Sequence, residues 1–553
     1  MNRKTYGSIP AKEGYFNVTD YRQLIDYRME TAPEVPIFSY LNYNTNEKTT
    51  VLPAQFKSDS EAVCVFLAEE GWHRKRIVLL GTNSYEYMLA LQGILTSGNI
   101  AVPLDQSLDV DYLVNLTADC EAEALFYSAN REEKARAIAE KLPVRLYCID
   151  GIPEFVQAGK KLIGAGRTEG LTRPLDADAE AFIVYTSGTT GRSKGVMLSQ
   201  KNVILNLVGA ARTVTVDMDQ VHMMPMNHLY GMGTAILAGI ITGHTLHLNT
   251  NLRYLMKDIA AGKPEMIVTV PMVAENLLGG LWKYIRANGR EEAVRAMIGE
   301  NRRKGNVSEE EKRRMFRQDL AALGGRLRLM VSGGAPMPLE LYEGYEAFGI
   351  RLREGYGITE CAPVLSVNTD DLYKIGSVGR IVEGGELMID NPNEDGIGEI
   401  CAKGPFVMSG YYNMKQETED AMRGGWFHTG DLGYLDEDDF VFITGRIKNL
   451  IILPNGENVS PEELEQWIEV GPGIQEVVVY DKDGAIAAMV YPNPDLVQEK
   501  GLEQVCSGIR EFIFTNSKKY PAYKRVTVVE FRSTPFERTA LKKIKRTSIH
   551  EGA

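Results

Sequence analysis

At 553 residues the chain is too long for a single hydrophobic core, so two to four domains or subdomains are expected. Hydrophobic residues make up 44% and charged residues 24%, an ordinary globular composition that excludes a disordered or fibrous chain. The net charge of −13 argues against nucleic acid as a partner and makes any anion site a local one.

Cys64, Cys120, Cys148, Cys361, Cys401 and Cys506 include no C-x-x-C pair, which points to reduced thiols in a cytoplasmic protein rather than a disulfide framework or a zinc site. The histidines also lack metal-ligand spacing, and His244 and His247 read as incidental. Met1 to Phe16 has no apolar core of signal-peptide length, and no apolar run reaches the roughly 18 residues of a membrane span. A soluble protein is expected.

Residues 17–75 mix short helical patterns, with Val63, Phe66 and Leu67 on one helix face and a polar turn at Asn42–Asn46. Arg76–Gly81 and Gly98–Leu104 read as strands around a helix from Tyr85 to Leu95. That βαβ pattern predicts an α/β region with a parallel sheet. A third apolar run, Ala181 to Tyr185, leads into Thr186-Ser187-Gly188-Thr189-Thr190-Gly191-Arg192-Ser193-Lys194-Gly195. Glycines let backbone N–H groups crowd around an anion, the hydroxyls add donors, and Lys194 adds charge. Ser199 then caps a helix carrying Ile204, Leu207, Val208 and Ala211 on one face. Strand, glycine-hydroxyl loop with lysine, then helix is a phosphate-handling order. It is not a Walker A loop, because the G-x-x-x-x-G-K-[ST] spacing is missing.

Met223 to Gly233 joins four methionines, His228 and two glycines ahead of an apolar helix from Thr234 to Ile241. A methionine stripe is usually adaptable core; its place after a phosphate loop favours an apolar ligand wall. Glu265–Val270 is a strand closed by Pro271. Residues 283–318 interleave both charges at helical spacing and read as a solvated helical insertion, with a peripheral membrane-surface role as the rarer alternative. Arg328–Ser332 resumes the sheet, followed by Gly333-Gly334-Ala335. Then come Glu354-Gly355-Tyr356-Gly357-Ile358-Thr359-Glu360 and His428-Thr429-Gly430-Asp431. Together these turns suit one nucleotide: a Tyr356 face for adenine, Glu360 as a hard oxygen ligand for Mg²⁺, Asp431 as acceptor for ribose hydroxyls.

Toward the C-terminus, Thr444–Asn449 is a polar break after a strand at Phe440–Ile443. Ser460-Pro461-Glu462-Glu463 has the pattern of a capping box with proline at the first helical position. Strands at Val477–Tyr480 and Ala485–Val490 flank the hairpin turn Asp483-Gly484. A helix near Leu502–Phe514 and a strand at Arg525–Phe531 complete a small α+β unit, and the tail Phe536–Arg546 is basic.

With these stretches in this order, the chain resembles the adenylate-forming superfamily: acyl-CoA synthetases, peptide-synthetase adenylation domains and firefly luciferase. Five ordered stretches carry the resemblance: Tyr185–Gly195, Pro225–Gly231, Gly355–Glu360, His428–Asp431 with Gly445–Glu465, and Thr539–Arg546. It implies a large N-terminal domain (1–445) of α/β subdomains with mostly parallel sheets and a small mobile α+β C-terminal lid (446–553). It further implies that Thr186, Ser187, Gly188, Thr189, Thr190, Gly191 and Lys194 hold ATP phosphates. Gly333, Gly334, Ala335 and Tyr356 would enclose adenine, Glu354, Gly355 and Gly357 would belong to the same ATP site, Thr359 would meet phosphate, Glu360 would bind Mg²⁺, and Asp431 and Arg446 would hold ribose. The Lys-Ile-x-Arg tail matches the family's catalytic-lysine motif at Lys543, with Lys542 as rival; Lys448 stands at the hinge position. At Pro454–Glu457 the chain departs from the glycine-rich turn that many members use to guide pantetheine.

The implied reaction is ATP-dependent activation of a carboxylic acid to an acyl-adenylate, then transfer to the thiol of coenzyme A or of a carrier-protein phosphopantetheine. Pro225–Gly231 has no Asp to pair with a substrate ammonium, whose burial would be costly. An aliphatic acid lying against His228, Gly231, Met232 and Gly233 is therefore expected, as in the medium- to long-chain acyl-CoA synthetase branch. Two other fates stay open at this level: a luciferase-like oxidation of the adenylate, and a non-catalytic nucleotide- or acyl-binding regulator.

Overall fold

The computed structural model describes residues 4–6, 18–186, 193–214, 218–453, 458–538, 544–546 and 549, with side chains undescribed at 4–6 and 234–239. Two sheets are built around parallel cores. In the first, the strands Arg76–Leu80, Ile100–Pro103, Ala124–Tyr127, Arg145–Cys148 and Glu180–Thr186 run parallel. Arg76–Leu80 and Ile100–Pro103 are buried on both faces, which is why they read as continuous apolar stretches. The βαβ expectation holds here: Tyr85–Thr96 is the crossover helix, capped by Ser84.

The second sheet has nine strands among the described residues. Phe38–Leu41, Leu246–Leu248, Gln220–His222, Met266–Thr269, Leu329–Ser332 and Arg351–Gly357 run parallel within it, with antiparallel strands at both edges. A third sheet, made of antiparallel pairs, contains Glu386–Asp390, Gly398–Lys403, Trp426–Leu435 and Val441–Arg446. Of these, Val441–Arg446 overlaps the strand expected at Phe440–Ile443, while in Trp426–Leu435 two glycines break the alternation that would have marked it in the sequence. The main core joins the first sheet to the helix Gln200–Thr213 and to the inner face of the third sheet.

Residues 283–318 are not simply solvated. Exposed pairs Arg295–Glu291, Lys304–Glu300 and Arg314–Glu310 line their outer faces, as the charge pattern predicts. Their inner faces send Ile285, Val294 and Phe316 into a core under the second sheet. Beyond residue 450, a separate core draws on residues between Ile451 and Val529. There Ile474–Lys482 and Ala485–Pro492 form the expected hairpin, with Asp483 and Gly484 both at positive φ. The helix Pro461–Glu469 starts where predicted, but Ser460 does not cap it: its hydroxyl donates to Thr444 O at 2.6 Å, fastening the helix to the end of the strand Val441–Arg446. Among the described residues no helix is long and apolar enough to cross a membrane.

Candidate active site

The strands on either side of the glycine-hydroxyl loop pair antiparallel. Thr186 ends the strand Glu180–Thr186, Lys194 opens the strand Lys194–Ser199, and the two residues are paired partners. The expected strand–loop–helix order is thus corrected to strand–loop–strand–helix. The helix Gln200–Thr213 follows only after Ser199, whose side chain accepts from Asn202 N as its cap. A short Lys-Gly-Val-Met-Leu-Ser run read as part of the loop because it is too brief to show strand alternation. Ser187, Gly188, Thr189, Thr190 and Gly191 lie outside the described residues, as do Pro454–Glu457, Lys542 and Lys543.

From the hairpin base, charge is relayed inward. Lys194 Nζ sits 4.5 Å from the centre of the Tyr411 ring, a cation–π contact. The Tyr411 hydroxyl donates to Glu360 Oε1 at 3.0 Å. Glu360 lies in the single turn Thr359–Cys361, and Met408 N donates to its carbonyl at 2.8 Å. Burial raises the Glu360 pKa, while the Tyr411 hydroxyl and Arg446 pull it down. Its carboxylate therefore meets a neutral hydroxyl in a low-dielectric setting, the condition in which a divalent cation would be most favoured. The residues present fit the Mg²⁺ site that the sequence implies.

A second constellation faces the first. The Tyr356 hydroxyl donates to Asp431 Oδ2 at 2.6 Å, and Arg446 Nε pairs with Asp431 Oδ1 at 2.7 Å. Asp431 and Arg446 are cross-strand partners, so the register of Trp426–Leu435 against Val441–Arg446 creates the pair. Asp431 is only 2% exposed, and burial beside this carboxylate holds the Tyr356 hydroxyl well above its usual range. The turn beneath is fixed by Thr429 Oγ1, which donates to Ile400 O at 2.7 Å, and by Gly430 N, which donates to Glu399 Oε1 at 3.0 Å. Lys448 lies in the single turn Ile447–Asn449. Burial first, then the repulsion of Arg446 and Lys194, lowers its pKa. Lys448 thus lies within electrostatic reach of Lys194.

Gly333, Gly334 and Ala335 follow the strand Leu329–Ser332, and Gly334 and Ala335 are exposed at its end. Glu354 is placed differently from its neighbours Gly355, Tyr356 and Gly357. Its Oε1 accepts from Met337 N at 2.9 Å and its Oε2 from the Tyr342 hydroxyl at 2.5 Å, so it braces the Gly333–Met337 loop from below.

On the acyl side, the methionine stripe is core: Met223, Met224, Met226 and Met232 are each at most 4% exposed. Gly231 and Gly233 mark close approach rather than an opening. A Cβ on Gly231 would lie 2.5 Å from Pro225 O, and one on Gly233 3.3 Å from Pro363 Cδ. His228 is half-buried at the start of this segment, and the backbone from Tyr230 to Leu237 takes the wider π-helical turn that often marks functional sites.

Three residues went unnoticed in the sequence. Tyr411 bridges Lys194 to Glu360; its signal was a lone Gly-Tyr-Tyr in a featureless stretch. Tyr230 donates to Thr269 O at 2.9 Å and stands 3.3 Å from where a Gly333 Cβ would be, so it packs against the Gly333–Ala335 loop. Asn83 holds the Met224–Met226 backbone, donating to Met224 O at 2.9 Å and accepting from Met226 N at 3.0 Å. No local pattern could reveal Asn83, since its partners are more than a hundred residues away. Conversely, Ser39, His247 and Asp258 form a hydrogen-bonded chain of 2.9 Å links that resembles a nucleophile triad. All three are at most 1% exposed, so no substrate can reach them.

The model for "AMP-binding enzyme" matches residues 26–412, and that for "AMP-binding enzyme C-terminal domain" matches residues 448–552. The long-chain-fatty-acid–CoA ligase FadD15 of Mycobacterium bovis is 30% identical over 449 residues, covering 76% of this chain and 73% of the relative. A chloroplastic long-chain-fatty-acid–[acyl-carrier-protein] ligase of Arabidopsis thaliana, AEE15, is 26% identical over 81% of this chain and 72% of its own. In fold, the chain is similar to ATP-bound MatB from Rhodopseudomonas palustris, with a TM-score of 0.75 at 24% identity over 96% of this chain and 98% of that one.

Proposed function

The chain belongs to the family of AMP-binding enzymes and is an AMP-forming acid–thiol ligase, and on that premise we propose which residues divide the work and which acid it takes. The observation that carries the assignment is the meeting of two constellations, Lys194–Tyr411–Glu360 and Tyr356–Asp431–Arg446. One is built for charge neutralisation, the other for a ribose.

The adenine of ATP lies against Tyr356 and the Gly333–Ala335 backbone. Asp431, oriented by Tyr356 and Arg446, accepts from the ribose hydroxyls. The loop from Thr186 to Lys194 holds the outer phosphates, and Thr359 contacts the phosphate next to the reacting acid. Glu360 would hold Mg²⁺, which would supply charge neutralisation to the phosphates. A carboxylate is a poor nucleophile toward an anion, so cations decide the rate. At about 4 Å and an effective dielectric near 20, one lysine contributes roughly 4 kcal/mol of Coulomb energy. Discounted for desolvation, that still amounts to on the order of a hundredfold in rate. Lys194 supplies one such charge and Lys543 the second.

The acid is a fatty acid. Two fatty-acid ligases among the relatives, the apolar setting of His228, Gly231, Met232 and Gly233, and the lack of an Asp in Pro225–Gly231 support this reading. The thiol is that of coenzyme A; the Arabidopsis relative favours, as second reading, a carrier-protein phosphopantetheine. We place the boundary between the two domains at 445/446 and the pivot at Lys448, so that the C-terminal unit presents Lys543 for adenylation and withdraws it for thioester formation. A cytoplasmic location, with at most peripheral membrane contact, accords with this reading. Supplying the enzyme with ATP and a series of fatty acids, with either coenzyme A or holo acyl carrier protein, tests it. Coenzyme A thioesters of aliphatic acids are expected; turnover only of aromatic or amino acids would overturn the substrate, and loading only of the carrier protein would overturn the acceptor.

A further inference from the structure

We propose that Glu399, Cys401 and His428 form a binding site for a thiophilic divalent cation of the Zn²⁺ class beside the Thr429–Asp431 turn. Cys401 and His428 are direct partners across the antiparallel strands Gly398–Lys403 and Trp426–Leu435, so their side chains share one face. Glu399 stands two residues from Cys401 on one strand and so shares that face, while the register shift between them places the extra residues in the partner strand, between His428 and Leu432. Cys401 Sγ lies 3.3 Å from His428 Nδ1, which lies 2.8 Å from Glu399 Oε2. All three ligand atoms fall within 4.8 Å of one another. Atoms so spaced can all be reached by one ion with bonds of about 2.0–2.3 Å after small rotamer adjustments.

The donor set selects the metal. One sulfur, one imidazole nitrogen and one carboxylate oxygen suit Zn²⁺ or Co²⁺, whereas Mg²⁺ and Ca²⁺ need mostly oxygen. Cys401 is fully buried, and the side chains of His428 and Glu399 are 7% and 14% exposed. The open side holds Arg423, 59% exposed, whose Nη2 is 3.4 Å from Glu399 Oε2 and 3.0 Å from His428 Nδ1. His428 Nδ1 thus faces a donor in Arg423, an acceptor in Glu399 and a thiol. A neutral ring nitrogen either donates or accepts, so it cannot serve all of them at once. A cation bound to all three ligands removes that conflict. On binding, the Cys401 thiol loses its proton to water as the sulfur–metal bond forms, no electron is transferred, and Arg423 swings into solvent. Glu399 Oε1 keeps the Gly430 N–H, so an ion held through Oε2 would tie the two strands together next to Asp431.

The test uses the full-length protein, stripped with a chelator and titrated with Co²⁺ and then Zn²⁺ in excess Mg²⁺. One equivalent of Co²⁺ should bind with a thiolate-to-cobalt charge-transfer absorption that Zn²⁺ abolishes. Cys401→Ser should remove that absorption and weaken Zn²⁺ on the order of 100-fold, since even outer-sphere partners are worth 10–100-fold. Should that variant fail to fold, Arg423→Ala, at an exposed position, keeps the proposal testable: removing a competing cation should tighten Zn²⁺ roughly tenfold. No charge-transfer band in the unmodified protein, a band that survives in Cys401→Ser, or unchanged affinity in Arg423→Ala would overturn the site.

Discussion

Replacing Glu354 by glutamine should make the protein more stable in mild alkali and leave it nearly unchanged in acid. Glu354 is 5% exposed, and burial pushes its carboxyl up from 4.5 to about 7 despite the Tyr342 hydroxyl and the Met337 N–H. A carboxyl raised in the folded state contributes fully below the unfolded value. That contribution is lost as pH rises, because the unfolded chain releases its proton near 4.5 while the folded one holds it to about 7. At about 1.4 kcal/mol per pH unit the loss across this window is roughly 3 kcal/mol. Glutamine has the same shape: its oxygen can accept from Met337 N and its amide can donate to the Tyr342 oxygen, with no charge to desolvate. Urea unfolding of both proteins at pH 5 and pH 8, followed by circular dichroism, reads the difference, and comparison at equal pH cancels every other titrating group. The expected outcome is a gap of no more than about 1 kcal/mol at pH 5 and a variant more stable by about 3 kcal/mol at pH 8. An equal gap at both pH values, or a variant weaker at pH 8, would refute the reasoning.

Lys543→Ala should abolish acid-dependent pyrophosphate exchange while thioester formation from supplied acyl-adenylate continues; loss of exchange in Lys542→Ala instead would move the role back one residue. Glu360→Gln should weaken Mg²⁺-dependent turnover far more than the thermal midpoint, and an unchanged Mg²⁺ dependence would remove Glu360 from the metal site. Lys448→Pro fixes φ near −65° and deletes one N–H, so it should spare one half-reaction and strongly impair the other. Equal loss of both would put the pivot elsewhere.

Much of this architecture is visible in local sequence, and what escaped has a common cause. The strands Arg76–Leu80, Ile100–Pro103 and Leu329–Ser332 are legible because they are buried on both faces and bounded by turns. The hairpin at Asp483-Gly484 is legible because its turn needs two residues at positive φ. Asp431 could be named from its glycine-flanked turn and Arg446 from the family resemblance, but not that they pair, because cross-strand register is not written in local sequence. The same holds for Tyr411 over Lys194 and for Cys401 opposite His428, neither of which has a helical or metal-ligand spacing. Ser460 shows the converse error. Its sequence context is that of a cap, yet a nearby carbonyl, Thr444 O, competes for the hydroxyl and wins. The methionine stripe was ambiguous for a different reason: thioethers fill core and ligand walls equally well, and only burial separates the two.

The central claim is that Lys194–Tyr411–Glu360 and Tyr356–Asp431–Arg446 jointly activate an acid by adenylation. Exchange of labelled pyrophosphate into ATP, measured without any thiol acceptor across aliphatic, aromatic and amino acids, tests it most directly. The account predicts exchange that requires both Mg²⁺ and an aliphatic acid and that falls sharply in Asp431→Ala. Exchange without any acid, no exchange with any acid, or full exchange in Asp431→Ala would contradict it.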